Sequence, residues 1–472
     1  MSFAPSYRPA QTFLTLGEGF ADPVEAANFP ETRLRYRNDR HAKTVGLDHL
    51  SDKDWIKHFG RFKPLPGTQP SPLAQRYHGH QFRNYNPDIG DGRGFLFAQL
   101  YDQNDRLLDL GTKGSGTTPY SRDGDGRLTL KGGVREILAT EMLEALGVNT
   151  SKTFSLIETG EALMRGDEPS PTRSAVLVRL SEGHIRIGSF QRLAYFDEAD
   201  KIEALTRYCL THYFGKTPSI SAADNAVMFL DLVTKRTAVL AAETMAAGFV
   251  HGVLNSDNIN ITGESFDYGP WRFMPTLDLS FTAAYFDREG LYSYGRQPDS
   301  IYWDLYQLGG TMSGILDEQT IRNSLDKFPA LFHASMRKNL LRRLGVQSKG
   351  DSADDAMFTA LNSFLLASGM PYEQIFYDWY GGEMNEHRES NSPQLPHYSH
   401  ESFSHFETAI TAFAPSNTKA LEHVYFQGDA PCTMLIDEVE AIWSNIDQHD
   451  DWSGLYNKVE KIREMGEALK QT

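Results

Sequence analysis

Cysteine is nearly absent: the 472-residue chain carries two, Cys209 and Cys432. They stand far apart and in no Cys-x-x-Cys or Cys/His spacing, which excludes a disulfide scaffold, a cysteine-built zinc site and a dithiol redox centre. Two reduced thiols in a cytoplasmic protein are expected instead. Positive charge is also scarce, with 46 basic against 62 acidic residues and a net charge of −16. A nucleic-acid surface needs a concentrated positive field, so that partner is excluded while a local basic pocket is not. No run of about 18 apolar residues occurs, and the first 20 residues lack a basic stretch followed by an apolar one. A cytoplasmic protein without a membrane partner is expected, and a monomer is favoured.

Other familiar signatures are missing too. There is no G-x-S-x-G elbow and no H-E-x-x-H helix, and Gly90-Asp91-Gly92 lacks the preceding strand and following helix of a dinucleotide-binding turn. Hydrolase, zinc protease and dehydrogenase readings lose their support. His78-Gly79-His80 has no cysteine or carboxylate at matching spacing, which makes these histidines structural.

With 40% hydrophobic and 23% charged residues the chain is a soluble globular protein, long enough for two or three domains or lobes. Residues 1–70 are irregular and proline-punctuated and read as an N-terminal extension packed on the core. Residues 71–200 are strand-rich, with strands expected at Phe95 to Leu100, Leu107 to Lys113, Thr153 to Ile157, Ala162 to Met164 and Ala175 to Leu180. One helix interrupts them, with Val134, Leu138, Met142 and Ala145 on one face and Gly147 at its C-terminal end. From 201 to 386 the pattern is helical. A helix over 223–247, striped by Ala226, Leu230, Val233, Thr237 and Leu240, runs into His251. A polar stretch at 387–403 precedes a final acidic, helical region, and 387–472 is read as linker and C-terminal extension. The expected fold is therefore α+β and bilobal like a protein kinase, with a strand-rich N-lobe, a helical C-lobe and extensions at both ends.

The stretch His251-Gly252-Val253-Leu254-Asn255-Ser256-Asp257-Asn258 is followed nine residues later by Asp267-Tyr268-Gly269. It matches the kinase pattern H-R-D-L-x-x-x-N and D-F-G, except that Val253 stands where a kinase carries its catalytic Asp. Asn258 and Asp267 offer hard oxygens suited to Mg²⁺. Asp257 is the only carboxylate within the loop, which makes it the candidate base.

Upstream, Gly90-Asp91-Gly92-Arg93-Gly94 precedes the first strong strand, and glycines let a backbone approach phosphate oxygens closely. Lys113 stands where a kinase places its phosphate-binding lysine, and Glu136 on the intervening helix is its natural partner. Arg179 and Arg186, at a strand end and just beyond, suit a polyphosphate clamp or an ordinary surface. Asp125-Gly126, in the loop from Ser121 to Arg127, reads equally as a plain turn.

Together with Tyr77-His78-Gly79-His80-Gln81-Phe82, Lys113-Gly114-Ser115-Gly116-Thr117-Thr118-Pro119-Tyr120-Ser121-Arg122, His184-Ile185-Arg186 and Phe266-Asp267-Tyr268-Gly269-Pro270, these motifs resemble the selenoprotein O (SelO, YdiU) family. Its members are kinase-like protein adenylyltransferases. The strong match covers roughly residues 70–305. The resemblance implies transfer of AMP from ATP to protein hydroxyls, with ATP reversed in the cleft and its α-phosphate toward the acceptor. Lys113, paired with Glu136, Arg179 and Arg186 would bind phosphates. Gly90, Gly92, Arg93, Asp125 and Gly126 would complete the nucleotide site. Asp257 would be the base, and Asn258 with Asp267 would hold Mg²⁺, with Mn²⁺ as the alternative. The family's C-terminal cysteine or selenocysteine motif has no counterpart in Gly466 to Thr472, so redox regulation is not implied. Two other readings stand beside this one: a conventional phosphotransferase using Asp257 as a displaced base, and a nucleotide-binding pseudokinase acting as an interaction module.

Overall fold

The computed structural model describes residues 6–385 and 388–470. The first five residues of the N-terminal extension, residues 386 and 387 where helical region and linker meet, and the last two residues lie outside the described residues. The mixed character expected from the sequence is present: a nine-stranded sheet is accompanied by many helices. Every ladder of that sheet is antiparallel. Its main path runs Ala21–Pro23, Leu73–Gln75, Leu96–Tyr101, Leu107–Lys113, Thr172–Ser181, Lys152–Leu163, Arg33–Arg37.

Two features differ from the sequence expectation. Residues 1–70 are less irregular than their prolines suggest, since they supply three sheet strands, Arg8–Ala10, Ala21–Pro23 and Arg33–Arg37, and the helices Asp39–Thr44 and Asp52–Phe59. In Arg33-Leu34-Arg35-Tyr36-Arg37 charged and apolar residues alternate with the strand period of two, but the run is too short to stand out. The strands expected at 153–157 and 162–164 are one strand, Lys152–Leu163. Its register breaks between Glu158 and Ala162, where Gly160 adopts φ 76°. The break hides the continuity from a reading based on alternation.

The sheet buries both faces. On one, Leu108, Leu110, Val176 and Val178 pack with Trp55, which stacks on Phe154 at 4.9 Å and donates through Nε1 to Ser155 Oγ at 2.8 Å. The other is covered by the helix Leu130–Ala145, whose Val134, Leu138 and Met142 pack against Leu156 and Leu177. Thr129 caps that helix by accepting from Gly132 N, and Gly147 takes φ 75° just past its end.

The helix Ala222–Ala246 buries the predicted stripe and delivers the chain to the strand Phe249–His251, which pairs with Trp271–Phe273. Residues 388–402 are short turns folded onto the helical region, where Tyr398 Oη donates to Asp378 at 2.7 Å. The final helices, Ile436–His449 and Ser453–Ala468, return to the helix Leu130–Ala145 and share its core through Trp443, Leu455 and Ile462. Among the described residues no helix is long and apolar enough to cross a membrane.

Candidate active site

Strand register fixes the first part of the site. Leu107–Lys113 pairs with Thr172–Ser181 so that Lys113 lies opposite Leu177 and Arg179 opposite Gly111. Side chains alternate along a strand and directly opposed residues share a face, which puts Lys113 and Arg179 on the same face. Gly111, between them on that face, leaves room for the ring of His184; a β-carbon there would lie 2.4 Å from it. The same face meets the helix Leu130–Ala145, and Lys113 Nζ donates to Glu136 Oε1 at 2.5 Å with both side chains buried.

The hairpin formed by Phe249–His251 and Trp271–Phe273 fixes the second part. It is closed at its base by Gly252 N donating to Pro270 O at 2.7 Å. Within the enclosed loop, Ser256–Asn258 forms a single 3-10 turn. That turn is tied to the Gly79–Gln81 strand, because His80 N donates to Ser256 Oγ at 2.7 Å and Phe82 N to Asn255 Oδ1 at 3.0 Å. The Tyr77–Phe82 segment is therefore a brace for the loop. Its histidines have the structural role expected: the His80 ring contacts Gln191, Tyr85 and Trp303, and the His78 ring contacts Tyr85, Tyr195 and Phe196.

Asp267 lies later in the same loop with φ 60°, a conformation uncommon outside glycine and better tolerated by Asp and Asn than by most residues. It turns the carboxylate toward Lys113, 2.8 Å from Oδ1, with Arg179 Nη2 at 3.6 Å. Burial opposes its ionisation, but Lys113, Arg179 and Arg93 outweigh burial and hold the carboxyl well below the usual carboxylate range. Arg186 is fully enclosed. Its guanidinium lies 4.1 Å from the centre of the Tyr77 ring and 4.9 Å from that of Phe266, donates to Asp257 O at 3.2 Å, and approaches Asp91 Oδ1 at 3.4 Å.

Asp257 is 8% exposed, and its Oδ1 makes no hydrogen bond. Burial pushes its pKa up to about 6, with Arg186 pulling down and Asp267 pushing up. Gly79 allows the close fit, since a β-carbon at that position would stand 2.9 Å from Asp257 Cβ and Oδ1.

These groups share one cavity of about 730 Å³. Of the residues predicted from sequence, Gly90, Gly92, Arg93, Lys113, Asp125, Gly126, Arg179, Arg186, Asp257 and Asp267 line it. Glu136 stands behind Lys113. Asn258 is not in the wall; it borders a much smaller cavity beside His251 and Ile259. Seven arginine and lysine side chains against five aspartates line the larger cavity, a basic pocket in a chain of net charge −16. Such a pocket suits an anion rather than a neutral ligand.

The glycine loop acts through close approach. A β-carbon on Gly90 would lie 2.5 Å from the Tyr120 ring, and neither Gly90 nor Gly92 has a positive φ. Asp125 receives two bonds from Arg165, at 2.8 and 3.1 Å, and one from Arg127 N at 2.9 Å, so it orients two basic residues at the cavity mouth. The sequence reading missed Arg122, Arg127, Arg165 and Tyr120 as wall residues. They come from turns with no period to mark them, and only the density of Arg, Asp and Gly over 121–127 hinted at a shared purpose.

Asn258 and Asp267 carry the hard oxygens a divalent cation takes, although they border different cavities. Mg²⁺ takes one or two protein oxygens and completes its shell with water and phosphate. Asn258 Nδ2 donates to Val253 O at 3.1 Å, which leaves Oδ1 as the free end of the amide, and Asp267 stays ionised. Among the described residues no group of three or more His, Cys, Asp and Glu side chains is placed to hold a metal ion.

Comparison with known proteins shows the family of the chain. The family described as "Protein adenylyltransferase SelO" matches residues 4–463. A Synechocystis sp. protein named "Protein nucleotidyltransferase YdiU" is 40% identical over 472 residues, covering 97% of this chain and 98% of that protein. The protein of the same name from Gloeobacter violaceus is 43% identical over 481 residues, covering 97% and 95%, and that from Aeromonas salmonicida is 35% identical over 361 residues, covering 76% and 74%. The cavity thus belongs to an enzyme of the nucleotidyltransferase class. The chain is a member of the SelO family of protein adenylyltransferases.

Proposed function

We propose that the protein transfers AMP from ATP to Ser, Thr or Tyr hydroxyls of acceptor proteins and releases pyrophosphate, on a bilobal, kinase-like fold. In this reading residues 71–200 form the nucleotide-binding N-lobe and 201–386 the helical C-lobe. Residues 1–70 and 387–472 are extensions. The observation that carries the proposal is the pairing of an apolar Val253 at the usual base position with a buried carboxylate at Asp257, whose Oδ1 makes no hydrogen bond, in a cavity ringed by Lys113, Arg179 and Arg186.

Asp257 Oδ1 is free to accept the acceptor's hydroxyl proton. The acceptor oxygen then bonds to the α-phosphorus of ATP, the bond to the bridging oxygen breaks, and pyrophosphate leaves with the electron pair. Lys113, Arg179 and Arg186 meet the charge that builds on the leaving group. Glu136 keeps Lys113 in place, and the glycine loop lets the phosphates lie against the backbone. Asn258 and Asp267 would hold Mg²⁺, or Mn²⁺ in its stead, which supplies Lewis-acid polarisation of the phosphoryl oxygens.

Incubation with acceptor protein, Mg²⁺ and ATP labelled at either the α- or the γ-phosphate tests the proposal. Label carried from the α-position alone is expected. Label from the γ-position alone would identify a phosphotransferase, and label from neither a binding module.

A further inference from the structure

We propose that the C-terminal helix Ser453–Ala468 positions the active-site ion pair, acting through Arg463 on the helix Leu130–Ala145; this rests on the role assigned to Glu136 as the partner of Lys113. The two C-terminal helices hold the helix Leu130–Ala145 from outside the cavity along its length. At its first turn Lys131 Nζ donates to Glu440 Oε2 on the helix Ile436–His449 at 2.7 Å. In its second half Arg463 reaches the carboxylate of Glu141, whose side chain is 2% exposed, with Nε to Oε2 at 2.9 Å and Nη2 to Oε1 at 2.6 Å. At its end Gly466 lies so near Ala145 that a β-carbon would stand 3.2 Å from Ala145 Cα and Cβ.

Glu136 and Glu141 are five residues apart, so they project from the helix in directions about 140° apart and about 7.5 Å along its axis. One carboxylate faces Lys113 and the other faces Arg463. The helix is a strut pinned on opposite sides, and its tilt sets where Glu136 holds the lysine. A bidentate guanidinium–carboxylate contact fixes orientation as well as distance. Neither C-terminal helix lines the cavity, so Arg463 acts at a distance, through Glu141 on this strut and the Tyr36 hydroxyl beside it. Without Arg463, Glu141 keeps Tyr36 Oη at 2.7 Å, Asn38 Nδ2 at 3.3 Å and Arg40 Nη2 at 3.3 Å, which retains partners for the buried charge while loosening the tilt.

The test is a double-mutant cycle in the full chain, with Arg463→Ala and Glu136→Gln made singly and together, and AMP-transfer kcat, acceptor KM and ATP Kd measured for each. Arg463→Ala is expected to lower kcat about tenfold with little change in acceptor KM, to lose that effect when Glu136 is already Gln, and to be partly rescued by Arg463→Lys. Equal fold losses from Arg463→Ala in both backgrounds, no loss included, would overturn the proposal. If Arg463→Ala does not fold, Arg463→Lys in the same two backgrounds is judged by the same criterion. A wild type that transfers no AMP would refute the proposed function instead; the cycle is then read in ATP Kd, where a non-additive effect is still required.

Discussion

Lys113 Nζ stands 2.8 Å from Asp267 Oδ1 while it donates to Glu136 Oε1 at 2.5 Å. One ammonium therefore joins the helix that flanks the sheet to the loop between the strands Phe249–His251 and Trp271–Phe273. An ion pair this deep gains little net stability, because two charges lose their water. Its value lies in geometry: a phosphate or metal entering the cavity finds Lys113 and Asp267 already in place.

Loss of Glu136 should misplace Lys113 without emptying the cavity. Glu136→Gln is expected to raise ATP Kd or lower kcat by about ten- to a hundredfold, the range for a charge-assisted hydrogen bond. Calorimetric titration with ATP and initial-rate kinetics measure both effects, and a variant with wild-type values would show that the pair is idle.

The metal role assigned to Asp267 predicts that Asp267→Ala abolishes transfer, and that chelation of divalent ions does the same to the wild type until Mg²⁺ is returned. Label transfer on a gel reads both. Full activity in Asp267→Ala would remove the assignment.

The base role proposed for Asp257 requires its ionised form. Because burial raises its pKa to about 6, kcat/KM should climb as pH passes through about 6 and level off above it. Asp257→Asn should eliminate transfer at every pH. A profile that is flat from pH 5 to 7 would assign the proton elsewhere.

Glu264 offers a test of stability away from the chemistry. It is enclosed beside Glu182, whose N donates to its Oε2 at 2.8 Å, and burial pushes its pKa up to about 8. The folded protein holds this proton where the unfolded chain releases it, so the contribution to stability falls as pH rises from about 4.5 toward 8. Glu264→Gln keeps the acceptor and removes the charge. It should stabilise the protein at pH 8 by up to about 4 kcal/mol, with the gain vanishing near pH 4, as thermal melts at several pH values would record.

Much of this site was legible in the sequence, since its parts sit where local pattern is strong. Lys113 ends an apolar strand, Glu136 lies on a helix with a clear stripe and a C-terminal glycine, and the loop after the Ala222–Ala246 helix carries its own motif. What stayed hidden depends on contacts between distant segments. Nothing near Asp125 announces that Arg165 will close on it from 40 residues away. Asn258 occupies its motif position, yet only the packing shows that it borders a neighbouring cavity. The strand Arg33–Arg37 and the seat of Arg463 on Glu141 are likewise products of tertiary pairing.

Phosphorus NMR of a complete reaction, with ATP, Mg²⁺, enzyme and acceptor protein, tests the central claim most directly, because the identity of the leaving group reports which phosphorus was attacked. Pyrophosphate formed in step with acceptor that has gained one adenylate is the predicted result. ADP formed in step with acceptor that has gained one phosphate would contradict it.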